Sequence, residues 1–196
     1  MVYSLSSVEA SVEDLNRLYL LRSHVEKSHN ACCWYDELLL STSITRIKGK
    51  IMQEFFEKFA INTKINVVWG EMDALGHVNN VSYFRYFETA RIDFLSQTGL
   101  LAVLSEPTHS PVLRDTYAQY KRPVTFPDTL YIGSYITDIK EDRFTMRYEA
   151  FSESQQAVCT TGYANVVMFN MKTGQKSPIP EHMLTILKQY EMDINQ

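Results

Sequence analysis

Ten residues, EMDALGHVNN from Glu71 to Asn80, hold two acids, a glycine, a histidine and two asparagines directly ahead of an aromatic run that reaches Leu95. Each has an ordinary use. Asn79 or Asn80 can cap a helix, worth about 1 kcal/mol, and Gly76 supplies a turn conformation that other residues resist. A single His77 in a loop is more often structural than catalytic. Together, however, they exceed what one turn and one cap require. A helix N-terminus leaves N–H groups free, with a partial positive charge. Such a donor polarises a carbonyl, and one well-placed donor of this kind is worth roughly 2.7–4 kcal/mol. Asp73 lies a few residues ahead of that terminus. Its carboxylate can either attack the polarised carbonyl or take a proton from the water that does. The chemistry indicated is acyl transfer without a metal.

The elements that must position this cluster follow from periodicity. Phe59, Ile61, Thr63, Ile65, Val67 and Trp69 alternate with polar residues, which predicts a half-buried strand with all six on one face. From Val81 to Gln97 the chain lacks turn residues. Tyr83, Phe84, Phe87, Ala90, Phe94 and Leu95 form a wide apolar face, and Val81, Tyr86 and Ile92 add apolar surface elsewhere, so a helix buried nearly all round is expected. Gly99 is its stop signal. Strands are then expected over 111–122, 129–139, 143–152 and 157–170, joined mostly by tight turns such as EDR and SESQQ, with KTGQ ending the last of them. A short helix closes the chain over 180–191. Strand, long helix and four strands make an α+β fold, an antiparallel sheet packed against one buried helix. Its outer strands are open edges that need a partner or a cover.

Ahead of this lies an extension, 1–51, separate from a domain at 52–196. Val8, Val12, Leu15, Leu18, Leu21 and Val25 have helical spacing, whereas residues 29–50 show no clean period and read as irregular.

The 196 residues are 45% hydrophobic and 12% aromatic, enough for a real core, with a formal charge of -4. That charge argues against a nucleic-acid groove. Cys32, Cys33 and Cys159 form no CxxC pair and suggest neither a disulfide framework nor a zinc site. With no secretion signal and no apolar run near the roughly 20 residues of a membrane span, a soluble cytoplasmic protein is expected. No metal and no cofactor are called for; His24 and His29 do not have the HExxH zinc spacing.

WGEMDALGHVNNVSYFRYFETAR, Trp69 to Arg91, resembles the signature of hot-dog-fold acyl-CoA thioesterases, the 4-hydroxybenzoyl-CoA thioesterase-like family, in the branch carrying HVNN. YKRPVTFPDTLYI (120–132) and KTGQKSPIP (172–180) extend the likeness over about 54–190. The resemblance implies a sheet wrapped around the central helix. It also implies a homodimer or a homotetramer, with sites at the dimer interface and acyl-CoA as substrate. By position it implies Asp73 as the catalytic carboxylate, Asn80 as the residue whose N–H binds the thioester oxygen, and His77 as a supporting catalytic residue. Asn79, Gly76 and Tyr83 would line or shape the substrate site. Glu71 stands where Asp is common. An acyl carrier protein as acyl donor, or acyl-CoA sensing without cleavage, are the alternative readings. Arg114, Lys121, Arg122 and Arg147 are candidates for the nucleotide phosphates, and Glu88 with Arg91 for an i,i+3 ion pair worth a few tenths of a kcal/mol.

Overall fold

A computed structural model describes residues 33–193 of the chain, with side chains from residue 42. Two compact units divide it, residues 1–54 and 55–196. The helix expected over 8–28 lies outside the described residues. The irregular segment expected after it is corrected: helix α1 runs from Cys33 to Lys58. Leu, Met, Glu, Lys, Gln and Arg, all good helix formers, make up nearly half of it, so helical propensity is present without a visible period in the sequence. No helix among the described residues is long and apolar enough to cross a membrane.

Strand β1 is shorter than the alternation suggests, Ile61–Asn66. Phe59 does not share its inner face. α1 ends at Lys58 and the chain turns, so Phe59 packs on the opposite side of the sheet, stacked on Tyr135 at 5.5 Å. Trp69 leaves the strand altogether for a 3-10 turn, Trp69–Glu71, and is 76% exposed.

Helix α2 spans Asn80–Gln97. Its buried side carries Tyr83, Tyr86, Phe87, Ala90, Phe94 and Leu95. It is not buried all round. Val81, Arg85, Glu88, Ile92 and Ser96, at helical spacing, face outward, and Val81 is 59% exposed. The helix is amphipathic, with apolar residues spilling onto its wet side. Gly99 ends it as expected, at φ +74, with Leu100 N–H donating to Leu95 O at 2.8 Å, a left-handed C-terminal cap.

Four long strands follow: β2 Ser110–Tyr120, β3 Thr129–Thr137, β4 Arg143–Ser152 and β5 Ala157–Asn170. A two-residue β6, Gln175–Lys176, folds back on β5, and helix α3, Glu181–Gln189, closes the chain. The sheet order is β1-β3-β4-β5-β2, antiparallel throughout. Its inner face presents Leu130, Ile132, Ile136, Phe144, Met146, Tyr148, Ala150, Ala164, Val166 and Met168 to α2, in one continuous core. Phe87 stacks on Tyr148 at 4.7 Å and lies flat on Gly162, where a Cβ would sit 2.4 Å from its ring. Burying a phenylalanine such as Phe94 contributes about 1.5–3 kcal/mol, so this one stripe fixes where the helix N-terminus sits against the sheet. The antiparallel sheet wrapped on a long helix is the hot-dog arrangement.

Candidate active site

The loop between the 3-10 turn and α2 folds on itself before it meets the sheet. Met72 and Val78 form an antiparallel bridge. Asp73 N–H donates to His77 O at 2.7 Å and Gly76 N–H to Asp73 O at 3.0 Å, with Gly76 at φ +75. This closed loop needs a residue with free access to positive φ at its tip, which glycine has. The Asp73 side chain is held from inside it: Oδ1 accepts from Leu75 N–H at 2.8 Å and His77 N–H at 3.2 Å. Those two bonds orient the carboxylate and leave Oδ2 without a protein donor among the described residues.

Two ties fasten the loop to the rest of the unit. Val78 N–H donates to Val124 O at 2.8 Å, and Asn79 N–H to Glu71 O, also at 2.8 Å. The Glu71 carboxylate in turn accepts from Tyr86 Oη at 2.5 Å and from Val68 N–H at 3.3 Å. Glu71 therefore anchors the loop to the second turn of α2 and is occupied there.

At the helix terminus Asn79 is the N-cap, its Oδ1 accepting from Val81 N–H at 3.1 Å. Ser82 N–H goes to Asn79 O at 2.9 Å. The Asn80 N–H is left with no acceptor among the described residues. Asn80 O accepts from Tyr120 Oη at 3.2 Å, which binds the first helical residue to the end of β2.

Asp73, His77, Asn80 and Tyr83 line one cavity of about 340 Å³, together with Val78, Tyr120, Lys121, Arg122, Pro123 and Val124. Of the expected site residues, Asn79 and Gly76 are not in that lining; one caps the helix and the other turns the loop. The far wall, Tyr120 to Val124, comes from some forty residues later in the chain. It is pinned in place because Lys121 and Arg122 both donate their backbone N–H to Cys159 O, at 2.8 and 3.0 Å. Only the pairing of β2 with β5 brings it there, so sequence spacing gave no signal for Tyr120 or Val124. Of the other basic candidates, Arg114 sits on Asp115 and Arg147 reaches Asp138. Arg91 donates to Tyr148 Oη at 3.2 Å instead of pairing with Glu88.

Burial raises the Tyr83, Tyr86 and Tyr120 hydroxyls above their ordinary value of 10.0, and for Tyr86 the Glu71 carboxylate adds to the effect. All three are neutral donors at physiological pH. Cys159, behind the cavity wall, is pushed up by burial to about 11 and gives its S–H to Ala150 O, which makes it an inert core thiol. The residues that line the cavity thus include a carboxylate held by one oxygen, the first residue of a helix, neutral phenols and two cations.

Residues 67–187 match the thioesterase-like superfamily. A relative from Aquifex aeolicus (strain VF5), an esterase by name only, is 31% identical over 119 residues, 60% of this chain and 90% of its own length. The DHNA-CoA thioesterase of Staphylococcus aureus superposes with a TM-score of 0.59 at 21% identity, covering 66% of this chain and 87% of that one. The gentisyl-coenzyme A thioesterase BH1999 does so with a TM-score of 0.57 at 23% identity, covering 64% and 98%. Those two likenesses show the shared fold. The chain belongs to the thioesterase-like superfamily and is a thioester hydrolase built on a hot-dog domain.

Proposed function

We propose that the protein hydrolyses an acyl- or aroyl-CoA thioester to the free acid and CoA, with Asp73 as the attacking or proton-accepting carboxylate. The observation that carries this reading is that Asp73 and Asn80, whose N–H has no acceptor among the described residues, line one cavity. A thioester carbonyl oxygen bound at Asn80 N–H draws electron density from its carbon. Asp73 Oδ2 then adds to that carbon, or takes a proton from a water that adds. The C–S bond breaks and the sulfur leaves as thiolate. If Asp73 itself added, water then cleaves the acyl–Asp73 anhydride to the free acid and restores the carboxylate. In either route the proton given up by water ends on the sulfur to give CoA. His77 stands beside Asp73 in the wall and supports it. The structural relatives cited above are by name CoA thioesterases, which supports CoA over a carrier protein as the acyl donor. β2 is paired on one side only among the described residues, and a homodimer joined along that edge satisfies its free backbone groups.

The test is thiol release, followed with a colorimetric thiol reagent, over a panel of acyl- and aroyl-CoA esters. Asp73→Asn and Asp73→Ala are expected to lower kcat by about 10²–10⁴, the usual contribution of a positioned base. Full activity in both variants would remove Asp73 from the reaction.

A further inference from the structure

The cavity holds more positive charge than thioester hydrolysis needs. Lys121 and Arg122 follow one another in its wall, and neither has an ion-pair partner among the described residues. On the sheet, Arg143 and Lys176 hold Asp142 and Arg147 reaches Asp138, whereas Lys64 of β1, outside this cavity, also lacks an ion pair among the described residues. With Asp73 as the one carboxylate in the lining, the formal charge of the cavity wall is +1, from Lys121, Arg122 and Asp73. The backbone under the two cations is fixed by the paired bonds to Cys159 O and by Gln155 Nε2, which donates to Pro123 O at 2.7 Å. The neighbouring Val124 O is bonded to the Asp73 loop through Val78 N–H. The cations therefore stand beside the reacting centre, on a strip hydrogen-bonded to the catalytic loop.

That position decides what they meet. A cavity of about 340 Å³ is about 9 Å across if compact. The pantetheine arm between a CoA thioester and its diphosphate has the length of about four backbone residues, about 14 Å when extended. A diphosphate on an extended arm lies beyond the cavity, whereas the acyl group, held at the carbonyl, lies within it. We infer that Lys121 and Arg122 select thioesters whose acyl group carries its own negative charge a few atoms from the carbonyl, a short dicarboxylic acyl group. This rests on the thioesterase reading above and narrows its substrate class. Without the two cations such a group would meet only the like charge of Asp73, and neutral Tyr83 and Tyr120 hydroxyls complete the polar wall around it.

The experiment compares kcat/KM for succinyl- and glutaryl-CoA with that for butyryl- and pentanoyl-CoA, and repeats each with the same acyl groups on pantetheine, which has no phosphates. The wild type is set beside Lys121→Gln, Arg122→Gln and the charge reversal Arg122→Glu. Both side chains are exposed, so folding is not at risk. The expected result is a wild-type preference for the dicarboxylic esters on both carriers. That ratio should fall about tenfold or more in each neutral variant and further in Arg122→Glu, and it should shrink as salt is raised from 0.05 to about 0.5 M. A ratio near one in the wild type overturns the inference while leaving the thioesterase intact. Loss in the variants that is equal for all CoA esters and absent for pantetheine esters also overturns it, because the cations would then meet the nucleotide phosphates. No thiol release from any ester would bring down the thioesterase reading itself, and this inference with it.

Discussion

The bond between Tyr86 Oη and Glu71 carries a prediction that can be worked from the geometry. Tyr86 is 4% exposed, and its hydroxyl reaches Glu71 Oε2 at 2.5 Å. A hydrogen bond to a charged group is worth about 1.5–3 kcal/mol, and a buried donor left unpaired costs about 1–3 kcal/mol. Glu71→Ala leaves the Tyr86 phenol unpaired in the core, so it should destabilise by about 2–3 kcal/mol. Tyr86→Phe removes the donor instead and frees the half-buried Glu71 to take up water, which should cost about 1–1.5 kcal/mol. With both changed, no unpaired donor remains, and the double variant should be about 1.5–3 kcal/mol better than the sum of the singles. Urea unfolding of the four proteins measures that coupling. Activity gives the second reading. Glu71 O also holds Asn79 N–H, so a loosened Glu71 side chain lets the Asp73 loop shift against Asn80. A displacement near 1 Å costs about 10²-fold in rate, hence kcat should fall at least tenfold in Glu71→Ala with KM little changed, and Glu71→Gln should recover much of it. Stabilities that add within about 0.5 kcal/mol, as for independent sites, would show that the bond does not tie loop to helix.

Tyr83, Tyr86 and Tyr148 all have hydroxyls raised above 10.0, chiefly by burial. The unfolded chain loses these protons first, so the stability they confer is complete below pH 10 and falls above it by about 1.4 kcal/mol per pH unit for each tyrosine; unfolding at pH 9 to 11.5 checks this, and a flat profile would refute it. Gly133→Ala should destabilise by about 1–3 kcal/mol, since the new Cβ would lie 2.2 Å from the buried Phe59 ring; adding Phe59→Leu should restore part of it. Gly162→Ala should resist the matching rescue by Phe87→Leu, because Tyr117 O, a backbone atom, also lies 2.6 Å from the added Cβ. Asn79→Ala should cost about 1 kcal/mol through loss of the N-cap, measured by thermal unfolding.

The sheet was legible because alternation survives wherever one face is buried and the other wet. Leu130, Ile132, Ser134 and Ile136, and likewise Phe144, Met146, Tyr148 and Ala150, point into the core as their spacing requires. The errors fall where a second element competes for the same residues. Phe59 fits the alternation of β1 by sequence, yet the end of α1 turns it onto the outer face, where the bare backbone of Gly133 makes room for its ring. Trp69 continues the alternation on paper, but the Glu71 carboxylate bonds Val68 N–H and the chain coils into a 3-10 turn. Helix α2 looked apolar all round because Val81 and Ile92 carry apolar surface to the outside, and composition does not tell an exposed apolar side chain from a buried one.

The site divides along the same line. Its near wall, the loop with Asp73, His77 and Asn80, is a run of neighbours, and hydrogen bonds within a few residues are implied by the types present: an Asp that accepts from the next turns, a Gly at positive φ, an Asn that caps. Its far wall is a consequence of register. Tyr120 reaches Asn80 only because β2 pairs with β5 from Ser110 opposite Phe169 to Tyr120 opposite Thr160, across a one-residue slip after Leu113. A side chain's face in a strand has a period of two, so removing that slip would turn Tyr120 to the other face and take its hydroxyl off Asn80. Lys121 and Arg122 would move with it. The Asp73 loop can thus keep its residues and its internal bonds while the wall across the cavity changes its charge, because that wall is set by a register that the loop's own sequence does not specify.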